Sequence, residues 1–470
     1  MLRGRYLSTN EFFELDDEII KNTFIIEEKD LMIWPLVRTD VLTYLKRKKN
    51  NFAIGQAGHT KLSLKNFRYI YNSLKYAQHR LNKSYNILYY ISARGRLNNK
   101  NFNIDADYYF SLLPKTLVID ASYRGHYFIP DNTDDFATGE YGTLKAYLLY
   151  QIKRVFSKKN NPSIERFIEF LKTKGNIEED FAKKVRKKLY FYYYSYDNYR
   201  SYITNVFKKL KPRIIFVRTA TYGGFFTILV KIAKECGIIT GEFQHGIIYE
   251  GHMAYNYGDA VFKSEHYKKQ LPDYILTYGD YWNDKIKIPS KIITIGNPHF
   301  YKSIKKYKDI KEQKDSILII SQGSITDIFV QMAKYLSEEL QNYRILFKLH
   351  PGEVPFEDRY KELYNYANIE IAKSGDIYEY FAQFENIVVG NSTTIYEALG
   401  FNKKLFILED NMTKNFIPEN IGVRFKENEK LKDLIVNTEK LNITYNLEYY
   451  FNPNWEENYK EFMKERVGIK

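Results

Sequence analysis

Short apolar runs that end abruptly in polar residues recur along the chain. Such runs are typical of buried parallel strands, which emerge at the carboxyl edge of a sheet. They occupy 87–91, 116–120, 213–219, 238–246, 271–279, 292–298, 316–320, 345–347, 369–371, 387–389, 406–408 and 423–425. The pattern predicts an α/β protein with doubly wound sheets, which bind ligands beyond the carboxyl ends of their strands.

Apolar residues take helical spacing between these runs. The longest such stretch covers about 142–211 and predicts a helical insertion. A helix over 225–237 joins two strands as a parallel crossover, and a last helix is predicted over 454–467. The lysine-rich segment 302–314 follows a strand, and we interpret it as a linker.

Length and composition limit the class of protein. A chain of 470 residues is too long for one core, so we expect domains at 1–300 and 301–450, and a terminal segment, 451–470, that crosses back to the first domain. A net charge of +14 favours acidic partners. The single cysteine excludes a disulfide framework.

Hydroxyl-rich and histidine-bearing turns follow two strands in the second half of the chain. His350 and Pro351 follow the run 345–347, and Gly390–Thr394 follow the run 387–389. Backbone N–H groups and hydroxyls before a helix can bind a phosphate, to which His350 can also donate. The plainer interpretation is that Ser392, Thr393 and Thr394 cap a helix.

Three residues in the first predicted domain are candidates for a general base. His245 follows a strand and precedes Gly246, and an imidazole titrates near neutral pH. Glu250 and Asp120 are the alternatives. Each also has a plainer interpretation, because His245 can be a structural histidine, Glu250 a surface residue and Asp120 a turn cap.

The pair His350-Pro351, followed by Ser392-Thr393, resembles motifs of bacterial GT-B transferases that use cytidine-activated donors. That group includes bacterial sialyltransferases, β-Kdo capsule transferases and the CDP-glycerol glycerophosphotransferases. Gln244-His245-Gly246 also resembles the His-Gly element of the last of these, in which the histidine faces the acceptor. Glu250-Gly251 matches a sialyltransferase motif incompletely, since Tyr249 stands at its first position.

The resemblance implies a GT-B fold, in which two Rossmann-like doubly wound domains face a central cleft. The acceptor then binds the N-terminal domain and a nucleotide-sugar, with cytosine as its base, binds the C-terminal domain. The implied donor-binding residues are Ser321, Gly323, Ser324, His350, Pro351, Asn391, Ser392, Thr393, Thr394 and Glu397. The implied catalytic residues are His245, Glu250, Asp120 and His350, and the acceptor-binding residues are Arg94, Arg96, Arg124 and Tyr222.

The function that follows is transfer of a CMP-activated nonulosonic acid or Kdo-type sugar to a glycan or lipid-linked acceptor, in capsule, lipopolysaccharide or glycoprotein synthesis. A CDP-polyol phosphotransferase and a sugar-nucleotide 2-epimerase are alternatives. The epimerase shares the fold but needs several carboxylates and arginines that the sequence does not locate. A basic, non-enzymatic polyanion-binding scaffold explains the charge but not the convergence of His350 with Ser392–Thr394.

The sequence also leads to expectations about metal use, membrane contact and cellular location. Asp105 and Asp107 are predicted in a loop away from strand ends, so we expect no metal and no cofactor besides the nucleotide-sugar. The segment 183–194 places basic residues beside aromatic ones, which suits an anionic membrane surface, although a solvated helix face is the plainer interpretation. We expect a cytoplasmic protein, peripheral on the inner membrane face, with no nucleic-acid partner.

Overall fold

The computed structural model describes residues 9–49, 64–92, 95–97, 100–104, 106–121, 135–156, 160–323, 325–410, 413–414, 417–437 and 445–469. The chain forms two compact units. The first comprises Met1–Gly296 and Asn454–Lys470, and the second comprises Asn297–Pro453.

The first unit is organised around a seven-stranded parallel sheet with the order β11-β10-β9-β8-β3-β6-β7. Two antiparallel pairs, β1 with β2 and β4 with β5, lie outside it. The strands are β1 Ile25–Ile26, β2 Leu31–Met32, β3 Ile87–Ser92, β4 Gly95–Leu97, β5 Lys100–Phe102, β6 Thr116–Ala121, β7 Phe136–Thr138, β8 Ile214–Val217, β9 Ile239–Phe243, β10 Tyr274–Thr277 and β11 Lys291–Thr294.

Helices of the first unit include the predicted insertion and the predicted crossover. The insertion consists of three helices, of which the longest covers Glu179–Leu210 and packs on the two before it. The helices are α1 Thr9–Lys21, α2 Trp34–Lys49, α3 Leu64–Lys75, α4 Asp107–Phe110, α5 Glu140–Phe156, α6 Pro162–Thr173, α7 Glu179–Leu210, α8 Phe225–Glu235, α9 Glu265–Lys268 and α10 Asp280–Asn283.

The second unit contains a six-stranded parallel sheet with the order β14-β13-β12-β15-β16-β17. Its strands are β12 Gln313–Ile320, β13 Arg344–Lys348, β14 Ile369–Ala372, β15 Phe384–Val389, β16 Lys404–Leu408 and β17 Val423–Phe425. Its helices are α11 Pro298–Tyr307, α12 Thr326–Glu339, α13 Ile377–Gln383, α14 Thr394–Ala398, α15 Asn428–Asn437 and α16 Leu447–Tyr450. The helix α17, Trp455–Phe462, belongs to the first unit.

The lysine-rich segment 302–314 is not a linker. Its first half lies in α11, where Phe300, Ser303 and Tyr307 recur at helical spacing and are buried. Asn297 caps this helix by accepting a hydrogen bond from the Phe300 N–H (3.1 Å). The second half contributes the start of β12. The lysines mark the exposed face of an amphipathic helix, a pattern that resembles a charged linker in sequence.

Candidate functional site

Both sheets reverse their strand order at one point, and the loops beyond that point form the expected ligand crevice of a doubly wound sheet. In the first unit the reversal lies between β3 and β8, and in the second between β12 and β15. The relevant described loops therefore follow β8 and β9 in the first unit. In the second unit they follow β12, β13 and β15.

A buried carboxylate lies at the base of the loops in the first unit. Glu242, in β9, is fully buried. Its Oε2 accepts a hydrogen bond from the Thr221 N–H (2.8 Å), and its Oε1 accepts from the Thr221 hydroxyl (3.2 Å) and the Tyr255 hydroxyl (2.7 Å). Burial raises the pKa of Glu242 to about 7, although these donors favour the charged form.

Tyr255 connects this carboxylate to His245. The Tyr255 oxygen lies 3.4 Å from His245 Nδ1. Because Tyr255 donates its only proton to Glu242, the tyrosine oxygen can accept from the imidazole in the tautomer that carries the proton on Nδ1. Burial, helped by the nearby Arg218, lowers the pKa of His245 to about 4. His245 is therefore neutral at pH 7, and in the Nδ1-protonated tautomer its Nε2 lone pair is available as a proton acceptor.

A second neutral imidazole, that of His252, lies next to Tyr222. The Ala254 N–H donates to His252 Nδ1 (3.3 Å), which leaves the proton on Nε2, 3.3 Å from the Tyr222 hydroxyl oxygen. Burial, followed by the charge of Lys46, lowers the pKa of His252 to about 4. We call Glu242, Tyr255, His245, Tyr222 and His252 the imidazole cluster.

The loop that carries this cluster is held by a buried ion pair. Arg38 is paired with Asp16 (2.5 Å), and both side chains are almost completely buried. The Arg38 guanidinium also donates to the carbonyl oxygens of Met253 and Asn256. Because these carbonyls flank His252 and Tyr255, Arg38 fixes the path of the loop from inside the unit.

In the second unit, Glu353 joins the loops after β12 and β13. The Ser321 hydroxyl donates to Glu353 Oε2 (2.6 Å), and the His350 N–H donates to the same oxygen (3.1 Å). Tyr360 donates to Glu353 Oε1 in a short hydrogen bond. We call Ser321, His350, Glu353 and Tyr360 the Glu353 network.

The His350 side chain is exposed and has a defined tautomer. The Gly352 N–H donates to His350 Nδ1 (3.0 Å), so the proton of a neutral imidazole lies on Nε2. That N–H is a hydrogen-bond donor at the carboxyl edge of the sheet. The orientation suits contact with an anionic ligand.

The turn after β15 is shaped by close contacts. A Cβ on Gly390 would lie 2.6 Å from Gln322 Oε1, so glycine permits the loops after β12 and β15 to approach one another. The helix that follows, α14, has only five residues, and its first cap residue, Thr393, makes no side-chain capping hydrogen bond. Glu397 accepts a hydrogen bond from the Tyr378 hydroxyl (2.8 Å).

The predicted hydroxyls lie together at this turn. Asn391, Ser392, Thr393 and Thr394 are half-buried there, and the Thr394 N–H donates to the Ser392 hydroxyl (3.4 Å).

The structure brings some predicted residues together and separates others. Tyr222 and His245, predicted for acceptor binding and catalysis, have ring centroids 5.6 Å apart. Glu250 is exposed and pairs with Lys285 (2.8 Å), so it lies outside the imidazole cluster. Asp120 is fully buried in β6, three strands and roughly 14 Å from β9.

For several predicted site residues the structure describes no side chain. Arg94, Arg124 and Ser324 lie outside the described residues, as does Asp105. Arg96 lies in β4, and only its backbone is described. Gly323 and Pro351 are exposed in the loops after β12 and β13.

Sequence reasoning missed Glu242, Tyr255 and His252 in the first unit and Glu353 and Tyr360 in the second. One signal was available, since Glu242 is a lone carboxylate inside an otherwise buried strand. Its partners, however, come from two separate loops, so pairing them requires the fold.

Comparisons with known proteins assign no family to this chain. No family model and no curated protein matches the sequence. The UDP-GlcNAc 2-epimerase from Neisseria meningitidis bound to UDP-GlcNAc is 12% identical, over 82% of this chain and 100% of that chain, with a TM-score of 0.46. The enzyme of the same name from Methanocaldococcus jannaschii is 13% identical, over 80% of this chain and 97% of that chain, with a TM-score of 0.45.

A pneumococcal O-GlcNAc transferase in complex with UDP and GlcNAc is also similar. It is 13% identical over 57% of each chain, with a TM-score of 0.33. Likenesses at these identities concern the fold alone and leave the chemistry to the residues of the site.

The fold class predicted from the sequence is confirmed as two doubly wound parallel α/β units. Two such units in one chain, with the last helix returned to the first, define the GT-B class of fold. The finer resemblance to cytidine-using transferases stays a prediction.

Two negative findings apply to the described part of the chain. None of its helices is both long and apolar enough to span a membrane. None of its His, Cys, Asp and Glu side chains form a group of three or more that could hold a metal ion. Metal independence remains a prediction.

Proposed function

We propose that the protein is an enzyme of sugar-nucleotide metabolism that transfers the sugar to an acceptor hydroxyl. The observation that carries this proposal is the hydrogen-bonded chain Glu242–Tyr255–His245 at the carboxyl edge of the first sheet. In the Nδ1-protonated tautomer His245 Nε2 is unprotonated, and a base of this kind is what deprotonation of a hydroxyl requires. Tyr222 and His252 border the position that the hydroxyl would occupy.

The second unit supplies the donor site in this proposal. His350 Nε2–H and the Ser392–Thr394 turn stabilise the charge that develops on the departing phosphate. The Glu353 network positions the His350 backbone through its N–H. This role is supported by the exposed imidazole and by its fixed tautomer.

The nucleotide base is the first property to test. The sequence resemblance favours cytosine, whereas similar solved structures include complexes with UDP-GlcNAc and with UDP. A thermal-shift panel of CMP, CDP, UMP, UDP and GDP at equal concentration separates the two, because a bound ligand stabilises the folded state. We expect the largest shift with a cytidine nucleotide, and the largest shift with UMP or UDP would replace that assignment.

His245→Asn tests the base itself. With the nucleotide-sugar identified by the panel, turnover is followed as nucleotide release, with water or an added glycan as acceptor. We expect turnover to fall by about 100-fold or more while the nucleotide-induced thermal shift is retained. Glu250→Gln is the matched control and should keep wild-type turnover, since Glu250 lies outside the imidazole cluster.

The pH dependence adds a second readout. Since burial lowers the pKa of His245 to about 4, the base stays neutral well below pH 6.5. Wild-type turnover should therefore hold from neutral pH to about pH 5 and fall only near pH 4. Full turnover in His245→Asn, or an acid limb centred near pH 6.5 that persists when Glu242 is replaced by Gln, would remove His245 from this role.

A sugar-nucleotide 2-epimerase is the second candidate. It is favoured by the presence of two neutral imidazoles next to Tyr222, one more than hydroxyl transfer needs. Epimerisation exchanges a carbon-bound proton with solvent, and transfer does not. Incubation of UDP-GlcNAc with the enzyme in D2O, followed by NMR of the sugar, decides between them: deuterium at C2 identifies the epimerase.

A further inference from the structure

Helix α3 presents large apolar side chains to solvent. Phe67, Ile70, Tyr71 and Leu74 follow the i, i+3, i+4, i+7 spacing of one helix face, and all four are exposed, Phe67 to 71%. The opposite face holds Ser73, which is buried and whose carbonyl oxygen accepts a hydrogen bond from the Thr138 hydroxyl (3.3 Å). The helix therefore packs on the unit with its less apolar side.

Helix α5 lies beside α3 and also presents apolar side chains to solvent. Leu148 and Ile152, one helical turn apart, are 64% and 56% exposed. Ala146 and Tyr150 are buried on the face that packs against α7. We call the exposed side chains of these two helices the α3–α5 surface. Contiguous apolar patches of this kind mark sites of interaction.

The charge of the two helices indicates the partner. Their sequences contain six basic residues, Lys65, Arg68, Lys75, Lys145, Lys153 and Arg154, and one acidic residue, Glu140. Arg68, Lys75 and Lys145 are exposed. A second copy of this chain docked face to face would bring like charges together. An anionic lipid surface instead accepts both the apolar side chains and the cations.

We propose that the α3–α5 surface docks the protein on an anionic membrane, with its aromatic and aliphatic side chains at headgroup depth. In the sequence, the basic and aromatic segment 183–194 of α7 is a candidate for this contact, beside the plainer interpretation of a solvated helix face. In the structure this part of α7 packs within the first unit, because Tyr192 is buried and the Tyr190 hydroxyl donates to Glu165 (2.9 Å). Lys183 is paired with Asp180 (3.3 Å).

Vesicle co-sedimentation of the full chain tests the proposal. Vesicles of phosphatidylcholine alone are compared with vesicles containing phosphatidylglycerol, at low and high salt. We expect binding to the anionic vesicles that weakens with salt. The triple variant Phe67→Ser, Ile70→Ser, Leu148→Ser should weaken it about tenfold or more, and Arg68→Glu with Lys145→Glu should do the same.

Two control variants distinguish binding through the α3–α5 surface from non-specific hydrophobic binding and from binding through α7. Ile328→Ser with Phe356→Ser removes equally exposed apolar side chains of the second unit, and Lys184→Glu with Lys187→Glu reverses exposed charges on α7. Both should bind like the wild type. Absence of binding to anionic vesicles, equal loss in the controls, or a dimer in light scattering that the triple variant dissociates would each overturn the proposal.

Discussion

Glu242 shows how position alone changes the chemistry of a residue. The side chain is completely buried, and burial raises its pKa to about 7 from a usual value near 4.5. Three donated hydrogen bonds oppose that shift without cancelling it. The folded state therefore binds a proton more tightly than the unfolded chain does, and stability becomes linked to pH.

Glu242→Gln should remove this link. With a raised folded pKa, the stability that protonation contributes is fully present below about pH 4.5 and is lost as pH rises through about 7. Between pH 5 and pH 8 the wild type should lose about 2 kcal/mol of unfolding free energy relative to the variant. Urea unfolding of both proteins at several pH values measures the difference.

Comparing the wild type with this variant also separates the stability contribution of Glu242 from those of the nearby histidines. His245 and His252 have pKa values lowered to about 4, so they destabilise the fold as pH falls from about 6.5 through 4. Both histidines are present in wild type and variant, and their contribution cancels in the difference. Parallel stability curves for the two proteins would contradict the raised pKa of Glu242.

Residue identity allowed part of the candidate site to be predicted from sequence. His245 and His350 both follow buried strands, and that local signal places them at a sheet edge whatever the rest of the chain does. Glu242 gives only the weaker signal of a carboxylate inside a buried strand, since its function depends on Tyr255 and Thr221. Long-range partners of this kind are set by the packing of loops and cannot be inferred from local pattern.

The loop after β13 is an element whose conformation depends on one carboxylate. Glu353 accepts from Ser321, from the His350 N–H and from Tyr360, which lies in the 3-10 segment Val354–Asn365. The carboxylate thus ties a loop to the end of β12. Burial and the bond to Glu353 raise the pKa of Tyr360 to about 12, which keeps its hydroxyl a donor at any physiological pH.

Tyr360→Phe should loosen this loop without emptying the core, because the ring is retained. Loss of one hydrogen bond to a charged acceptor costs about 2 kcal/mol, and the nucleotide-induced thermal shift should decrease. Hydrogen exchange of peptides covering 349–353, with and without nucleotide, measures the effect. Tyr364→Phe changes an exposed tyrosine of the same segment and is the control. Equal hydrogen exchange in the two variants would mean that the Glu353 network does not hold this loop.

Strands marked by an apolar run that ends abruptly could be predicted from the sequence, whereas most strands of two or three residues could not. Every apolar run identified in the sequence contains a strand, because continuous burial on both faces leaves a clear pattern. The edge strand β7 has three residues and was missed, as were the pairs β1–β2 and β4–β5. Strands of two or three residues are too short to show a period.

At the scale of the whole molecule, the chain completes its first unit only at its end. Helix α17 lies after all the residues of the second unit, and its side chains enter the core of the first. Tyr459 is fully buried there, with its hydroxyl 2.6 Å from that of Tyr89 on the central strand β3. Phe462 and Met463 belong to the same core.

Tyr459→Ala should therefore destabilise the first unit and leave the second unit unchanged. Truncating a buried aromatic side chain costs about 3–5 kcal/mol, because a cavity is added to the lost burial. In this case the Tyr89 hydroxyl also loses its buried partner. Hydrogen exchange resolved by peptide should show faster exchange in β3 and β8, with β12 and β15 as in the wild type. Tyr364→Ala, an exposed tyrosine of the second unit, should change neither set. Uniform acceleration across both sheets would mean that the two units do not unfold separately, and no change in β3 would mean that α17 contributes little to the core it enters.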